Sequence, residues 1–129
     1  MANPNIVAVS IIYGESVGWN LTNTLTTTLM TVSSGKLIKI NRMTCANVDG
    51  SSAADLTVYI DTSVQTSSGA TIASGAADIY LAKTVSVPAD ATLVVSDTPI
   101  YLREGDILKG GASAASDLDL FVSFEVITS

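Results

Sequence analysis

The sequence predicts an all-β chain: an antiparallel β-sandwich, jelly-roll-like, with roughly eight strands. Three observations predict it. Apolar and polar residues alternate with period two in several segments, as strands require when successive side chains leave opposite faces. Clusters of Gly, Ser, Asp and Pro punctuate those segments at about the 8–12-residue spacing of a sandwich or barrel. No stretch sustains the 3.6-residue repeat of an amphipathic helix.

The elements follow in order. "NIVAVSIIY", residues 5–13, is apolar nearly throughout and reads as a strand covered on both faces. Gly14-Glu15-Ser16-Val17-Gly18 reads as a turn after it, with the two glycines giving backbone freedom. Residues 1–20 are read as a contact arm or edge strand of a single domain spanning 1–129. "LTNTLTTTLMTVS", residues 21–33, is rich in threonine, which favours strands. In "KLIKINRMTCANV", residues 36–48, Ile38 and Ile40 share one parity while Met43 and Cys45 share the other, so a bulge is expected near Arg42. "DLTVYID" sets Leu56, Val58 and Ile60 on one face against Asp55, Thr57, Tyr59 and Asp61 on the other. "SSGATIASGAA" has the composition of an exposed loop. "AADIYLAKTVSV", "ATLVVSD", "PIYLR" and "DILKGGAS" supply further strands, separated by "VPADAT", "SDTP" and "REGD", with "KGGASAASD" as the last turn. The final strand, "DLDLFVSFEV", lines Leu118, Leu120, Val122, Phe124 and Val126 on one side and Asp117, Asp119, Phe121, Ser123 and Glu125 on the other.

Composition narrows the function. The chain has 129 residues, enough for one domain with a sizeable core. It is 47% hydrophobic and 14% charged, with mean hydropathy +0.45. No run approaches the roughly 18 apolar residues that span a bilayer. The apolar excess is expected to be buried between sheets and neighbouring subunits. Net charge is −6, and only Lys36, Lys39 and Arg42 form a loose basic cluster, so neither nucleic acid nor membrane is expected as a partner. No basic stretch followed by an apolar run and a cleavage site is evident, so no secretion signal is expected. The single cysteine, Cys45, excludes an internal disulfide and reads as a small buried residue.

Gly14 to Gly18 also spells G-x-S-x-G, the word of a hydrolase nucleophile elbow. Its chemistry needs a histidine to take the serine proton, and the chain has none. The elbow also needs a helix after the serine, whereas "WNLTNTLTTTL" is a poor helix sequence. The same lack of histidine removes zinc sites and Cys–His pairs. Asp117 with Asp119, and Glu104 with Asp106, are hard-oxygen pairs suited to calcium, but they read as a solvated face and a polar turn. No enzyme, cofactor or metal is expected.

From Asn41-Arg42, through Val48-Asp49-Gly50 and Ala53-Ala54-Asp55, to Pro99–Asp106 and Ala112–Leu118, the chain resembles small virion proteins of tailed bacteriophages. The similarity spans about residues 36–127; residues 1–35 carry no part of it. Leu102 to Leu108 also resembles a turn of trimeric jelly-roll domains of the C1q and tumour-necrosis-factor type. The resemblance implies a capsid decoration or cement protein on the virion surface, held in the host cytoplasm before assembly. Its implied partners are the major capsid protein, other virion proteins and its own copies, with a trimer favoured. Alternatives are a neck, collar or tail component, or a receptor- or glycan-binding module of a fibre. Ile6, Val7, Val9, Ile11, Ile12, Tyr13 and Trp19 are the expected contact residues, Trp being the strongest hot-spot type.

Overall fold

The computed structural model describes residues 9–62, 67, 69–73 and 78–128. Ile6 and Val7 lie outside the described residues. Among the described residues there are nine strands: β1 (Ile11–Asn20), β2 (Thr28–Thr31), β3 (Lys36–Asn47), β4 (Ala54–Asp61), β5 (Asp78–Val87), β6 (Thr92–Ser96), β7 (Ile100–Leu102), β8 (Ile107–Ala112) and β9 (Leu118–Thr128). No described residue is helical. One sheet runs β1-β9-β3-β6, with β7 also on β3; the other runs β2-β8-β4-β5. All pairings are antiparallel. The pairs nest in sequence: β4 with β5, β3 with β6 and β7, β2 with β8, and β1 with β9. The chain is thus folded back on itself and rolled into an antiparallel β-sandwich.

The predicted alternation builds the core. Leu118, Leu120, Val122 and Phe124 of β9 lie beside Ile38, Ile40, Met43 and Cys45 of β3, and face Leu56, Val58 and Leu108 of the second sheet. Each large aliphatic buried this way contributes about 1.5–3 kcal/mol. The bulge lies where the phase change places it. β3 pairs with β9 up to Ile40↔Phe124 and resumes at Arg42↔Ser123, leaving Asn41 without an opposite residue. One extra residue flips the parity, so Ile40 and Met43 both point inward.

Three expectations are corrected. Gly14 to Gly18 is not a turn: it is the middle of β1, paired without interruption from Ile11↔Thr128 to Asn20↔Asp119. β1 begins at Ile11, and Ile11, Ile12 and Tyr13 are exposed rather than covered on both faces, while residues 5–8 of the preceding run lie outside the described residues. Of the threonine-rich segment only Thr28–Thr31 is strand. Residues before it form a turn in which Thr27 Oγ1 donates to the Thr24 carbonyl (2.8 Å) and shares a hydrogen bond with Thr22 Oγ1 (3.2 Å), so its hydroxyls bond locally instead of extending a ladder. The strand expected at "DILKGGAS" is β8, and Gly110 and Gly111, read also within the following turn, are buried in it.

Two polar anchors hold the loops. Asn47 is buried; its Nδ2 donates to the Ser52 and Val87 carbonyls (3.0 and 2.9 Å), and its Oδ1 accepts from the Asp49 N–H (2.9 Å). Asp106, also buried, accepts from the Arg103 N–H (2.8 Å) across a turn that Gly105 closes at φ 86°.

Candidate functional site

The five-stranded sheet has an outward face and a free edge. Pairing fixes which residues share the face. Gly18, Phe121, Thr44 and Val94 form one row, and Gly14, Glu125, Lys39 and Tyr101 another. Ser16 and Ser123 lie between them, and Ile12, Ile127 and Leu37 form the row beyond Gly14. Phe121 is 50% exposed, and Val94 and Tyr101 stand out similarly. Small residues (Gly14, Ser16, Gly18, Thr44, Ser123) lie among them, together with Lys39, Arg42 and Glu125 and with exposed Ile12. Phe121 covers Gly18, whose added Cβ would sit 3.3 Å from the ring. An aromatic across from glycine repairs the side-chain packing that glycine forfeits in a strand.

Polar pairs frame this face. Asn20 Nδ2 donates to Asp119 Oδ1 (2.6 Å), and Asn41 Nδ2 donates to Glu125 Oε1 (3.2 Å). The first pair borders a shallow hollow of about 280 Å³ with Gly18, Trp19 and Phe121. The second borders a wider, open one of about 520 Å³ with Ile12, Gly14 and Ser16. Ser16 sits mid-strand opposite Ser123, in neither the turn nor the strand-to-helix junction that an elbow serine occupies. The paired carboxylates are engaged by the protein itself: Glu104 accepts from Ser34 Oγ (2.9 Å), and Asp106 and Asp119 from the donors above. Among the described residues no group of three or more Cys, Asp or Glu comes together for a metal.

The free edge is β1. The Leu21 N–H donates to the Leu118 carbonyl (2.8 Å), continuing the β1–β9 register by one residue. Antiparallel bonding alternates strictly, so odd-numbered β1 residues turn their N–H and C=O groups toward β9 and Ile12, Gly14, Ser16, Gly18 and Asn20 turn theirs outward. Odd side chains face the sandwich side. Val17 and Trp19 pack against the core there, whereas Ile11, Tyr13 and Glu15 run beyond it and are exposed. The expected contact residues are therefore divided. Ile11, Ile12 and Tyr13 are exposed on β1, Val9 is half-buried ahead of it, and Trp19 leans on the core. Phe121, Val94 and Tyr101 were not among them. The readable signal was Phe121, the one apolar residue in the wet series Asp117, Asp119, Phe121, Ser123, Glu125.

The second sheet carries a different outer face. Tyr59 and Tyr80 stack at 4.9 Å, Lys83 Nζ lies 5.0 Å from the Tyr80 ring, and Lys109 pairs with Asp61 at 3.1 Å. Tyr59 and Thr57, read as wet, are buried there. Burial raises the Tyr59 phenol, and the hydrogen bond that Lys109 donates to the Asp61 carboxylate raises its ammonium. These groups are mutually satisfied, as a structural cluster is.

No family model, curated protein or solved structure matches this chain.

Proposed function

We propose that the chain is a non-enzymatic virion structural protein: a capsid decoration protein whose outward five-stranded face seats on the shell and bridges capsid subunits. The observation that carries this reading is that face, on which Phe121, Val94, Tyr101 and Ile12 are exposed among Gly14, Ser16, Gly18, Thr44 and Ser123. Its small side chains lose little freedom on contact, so that part of the face binds at low ordering cost. The resemblance over residues 36–127 supplies the virion setting. The nested pairing of β1 with β9, β2 with β8, β3 with β6 and β7, and β4 with β5 supports reading the sandwich as a jelly roll.

The mechanism is mechanical. A protein bound across a joint between shell subunits adds its binding free energy to the cost of opening that joint, because it binds the assembled form alone. Repetition over the lattice multiplies weak contacts through effective concentration. The test uses virus particles lacking this protein. They are expected to release DNA at lower temperature, with tolerance restored by added wild-type chain and not by Phe121→Ser/Val94→Ser of unchanged melting temperature. Equal heat tolerance with and without the protein would refute the reading.

A second reading, a glycan- or receptor-binding module of a fibre, draws on the hollow where Asn20 and Asp119 adjoin Trp19 and Phe121. Binding on a glycan array, abolished by Asp119→Ala, would favour it over the shell.

A further inference from the structure

We propose that the free edge of β1 pairs antiparallel with β1 of a second copy, about a two-fold axis at Ser16. The edge is unlike the others among the described residues. β2, β6 and β7 are only 4, 5 and 3 residues long. β5 is long, but its register with β4 shifts on both sides of Val58, and Thr84 in it has φ 49°. Such irregularity bends an edge away from further pairing. β1 has 10 residues in one unbroken register and a single charge, Glu15. Nothing in its sequence blocks an added strand.

Symmetry and charge select the register. A two-fold axis through the sheet keeps outward side chains with outward side chains, so facing residues have the same parity. Centring on Glu15 would set that carboxylate opposite itself in a closely spaced pair, which is repulsive. Centring on Val17 would shorten the overlap and set Trp19 against Glu15. Centring on Ser16 faces Ser16 with itself, Gly14 with Gly18, Ile12 with Asn20, and Glu15 with Val17, with no like charges opposed. Every residue whose backbone groups point to solvent then meets another such residue. Two bonds at each of five facing pairs give about ten backbone hydrogen bonds. On the sandwich side the same register sets Tyr13, 54% exposed, across from Trp19, twice by symmetry. The G-x-S-x-G word thus has a structural meaning: glycines placed symmetrically about the serine keep side chains off the outward side of the seam, with open space at Gly14 and the Phe121 ring over Gly18.

Each copy carries net charge −6, which opposes association, so pairing strengthens as salt screens it. This inference does not rest on the capsid reading, since it concerns the edge and not the outward face.

Two measurements on the full chain test it. The first is solution mass by light scattering across concentration and salt. The expected mass is twice the 13.3 kDa chain, and the dimer constant should tighten with added salt. Ser16→Pro should be monomeric with a melting temperature close to wild type, since it removes an outward N–H and no β1–β9 bond. The second is cross-linking under mild oxidation. Facing residues in a hydrogen-bonded pair lie about 5.5 Å apart at Cα, within disulfide reach. Ser16→Cys should therefore give a covalent dimer at least tenfold faster than Gly14→Cys, which would face Gly18 rather than itself; the native Cys45 is buried and does not compete. A monomer at all concentrations, a trimer, or equal cross-linking of the two variants would overturn the proposal. If Ser16→Pro unfolds, the cross-linking ratio decides.

Discussion

Adding one methyl group to Gly110 tests how closely β4 and β8 are packed. Gly110 pairs with Val58 in the middle of the second sheet and is buried. A Cβ there would overlap the Thr57 carbonyl oxygen and lie 3.2 Å from Val58 Cα and 3.3 Å from Val58 Cγ2. The first two neighbours are backbone, so no side chain can rotate to make room. Relief requires β8 to move away from β4, stretching ladder bonds on both sides. Overpacking a core costs about 1–3 kcal/mol, and a purely backbone obstacle points to the top of that range. Gly110→Ala should therefore destabilise by about 3 kcal/mol, a drop of roughly 10 °C in melting temperature for a chain of this size. The control is Gly14→Ala, the same chemical change in an exposed strand with nothing within 4 Å of the new carbon. Glycine is a poor strand residue, so this variant should match wild type or gain about 0.5 kcal/mol. Thermal unfolding followed by far-ultraviolet circular dichroism compares the three proteins. If Gly110→Ala melts within about 2 °C of wild type, the close approach inferred for these strands is wrong.

Asn47→Ala leaves the Val87 and Ser52 carbonyls and the Asp49 N–H without their buried partner. A loss of about 2–4 kcal/mol is expected by urea unfolding, at about 1 kcal/mol per bond plus the cost of the stranded groups, and a loss under about 1 would remove Asn47 as an anchor. Burial, with help from Asp119, pushes the Cys45 thiol up from 9.0 to about 11. The unfolded thiol ionises first, so this contribution is whole below about pH 9 and falls by about 2–3 kcal/mol as pH rises through 11. The stability gap between wild type and Cys45→Ala should narrow over that window; a constant gap would contradict it.

The strands that face one core were legible because burial writes parity into the sequence. Leu56, Val58, Leu118, Leu120 and Val122 alternate, and all are fully buried. The bulge at Asn41 was legible for the same reason, since a change of phase between Ile40 and Met43 has few other causes. Only the start of β1, up to Tyr13, was legible as a strand; an edge strand has one neighbour and little burial, so no alternation is imposed on the rest. Its glycines then read as a turn, and only Phe121, about a hundred residues away in sequence, shows why Gly18 is tolerated in a strand. Gly110 and Gly111 were read both in a strand and in the following turn; what requires glycine there is the nearness of other backbone, from β4 and from the turn at Thr22 and Thr24, which no local pattern encodes. Thr57 and Tyr59 failed the wet-face expectation because β4 is central in its sheet and neighbours on both sides cover its outer residues. For the site, exposed Ile12 and Tyr13 could be named from the apolar run, whereas the row joining Phe121, Thr44 and Val94 exists only once three distant strands are paired.

The apolar excess of the chain is distributed among several surfaces, and this bears on how it associates. The core takes most of the leucines, Met43, Val58 and Val122, yet Ile12, Tyr13, Leu25, Ile79, Tyr80, Val94, Tyr101 and Phe121 remain exposed. They are separated by Gly, Ser, Thr and single charges, so no one patch has the continuous apolar area of an obligate interface. Net charge −6 keeps free copies apart at low salt. A strand seam along β1 and a separate outward sheet face can each be weak and still act together when copies are arrayed on a common lattice, because the second contact is then made at high effective concentration. On the proposed reading, such a chain would stay dispersed when dilute and bind firmly only where its contact partners are already ordered. Joining either surface to a large apolar core instead would make it associate before reaching that lattice.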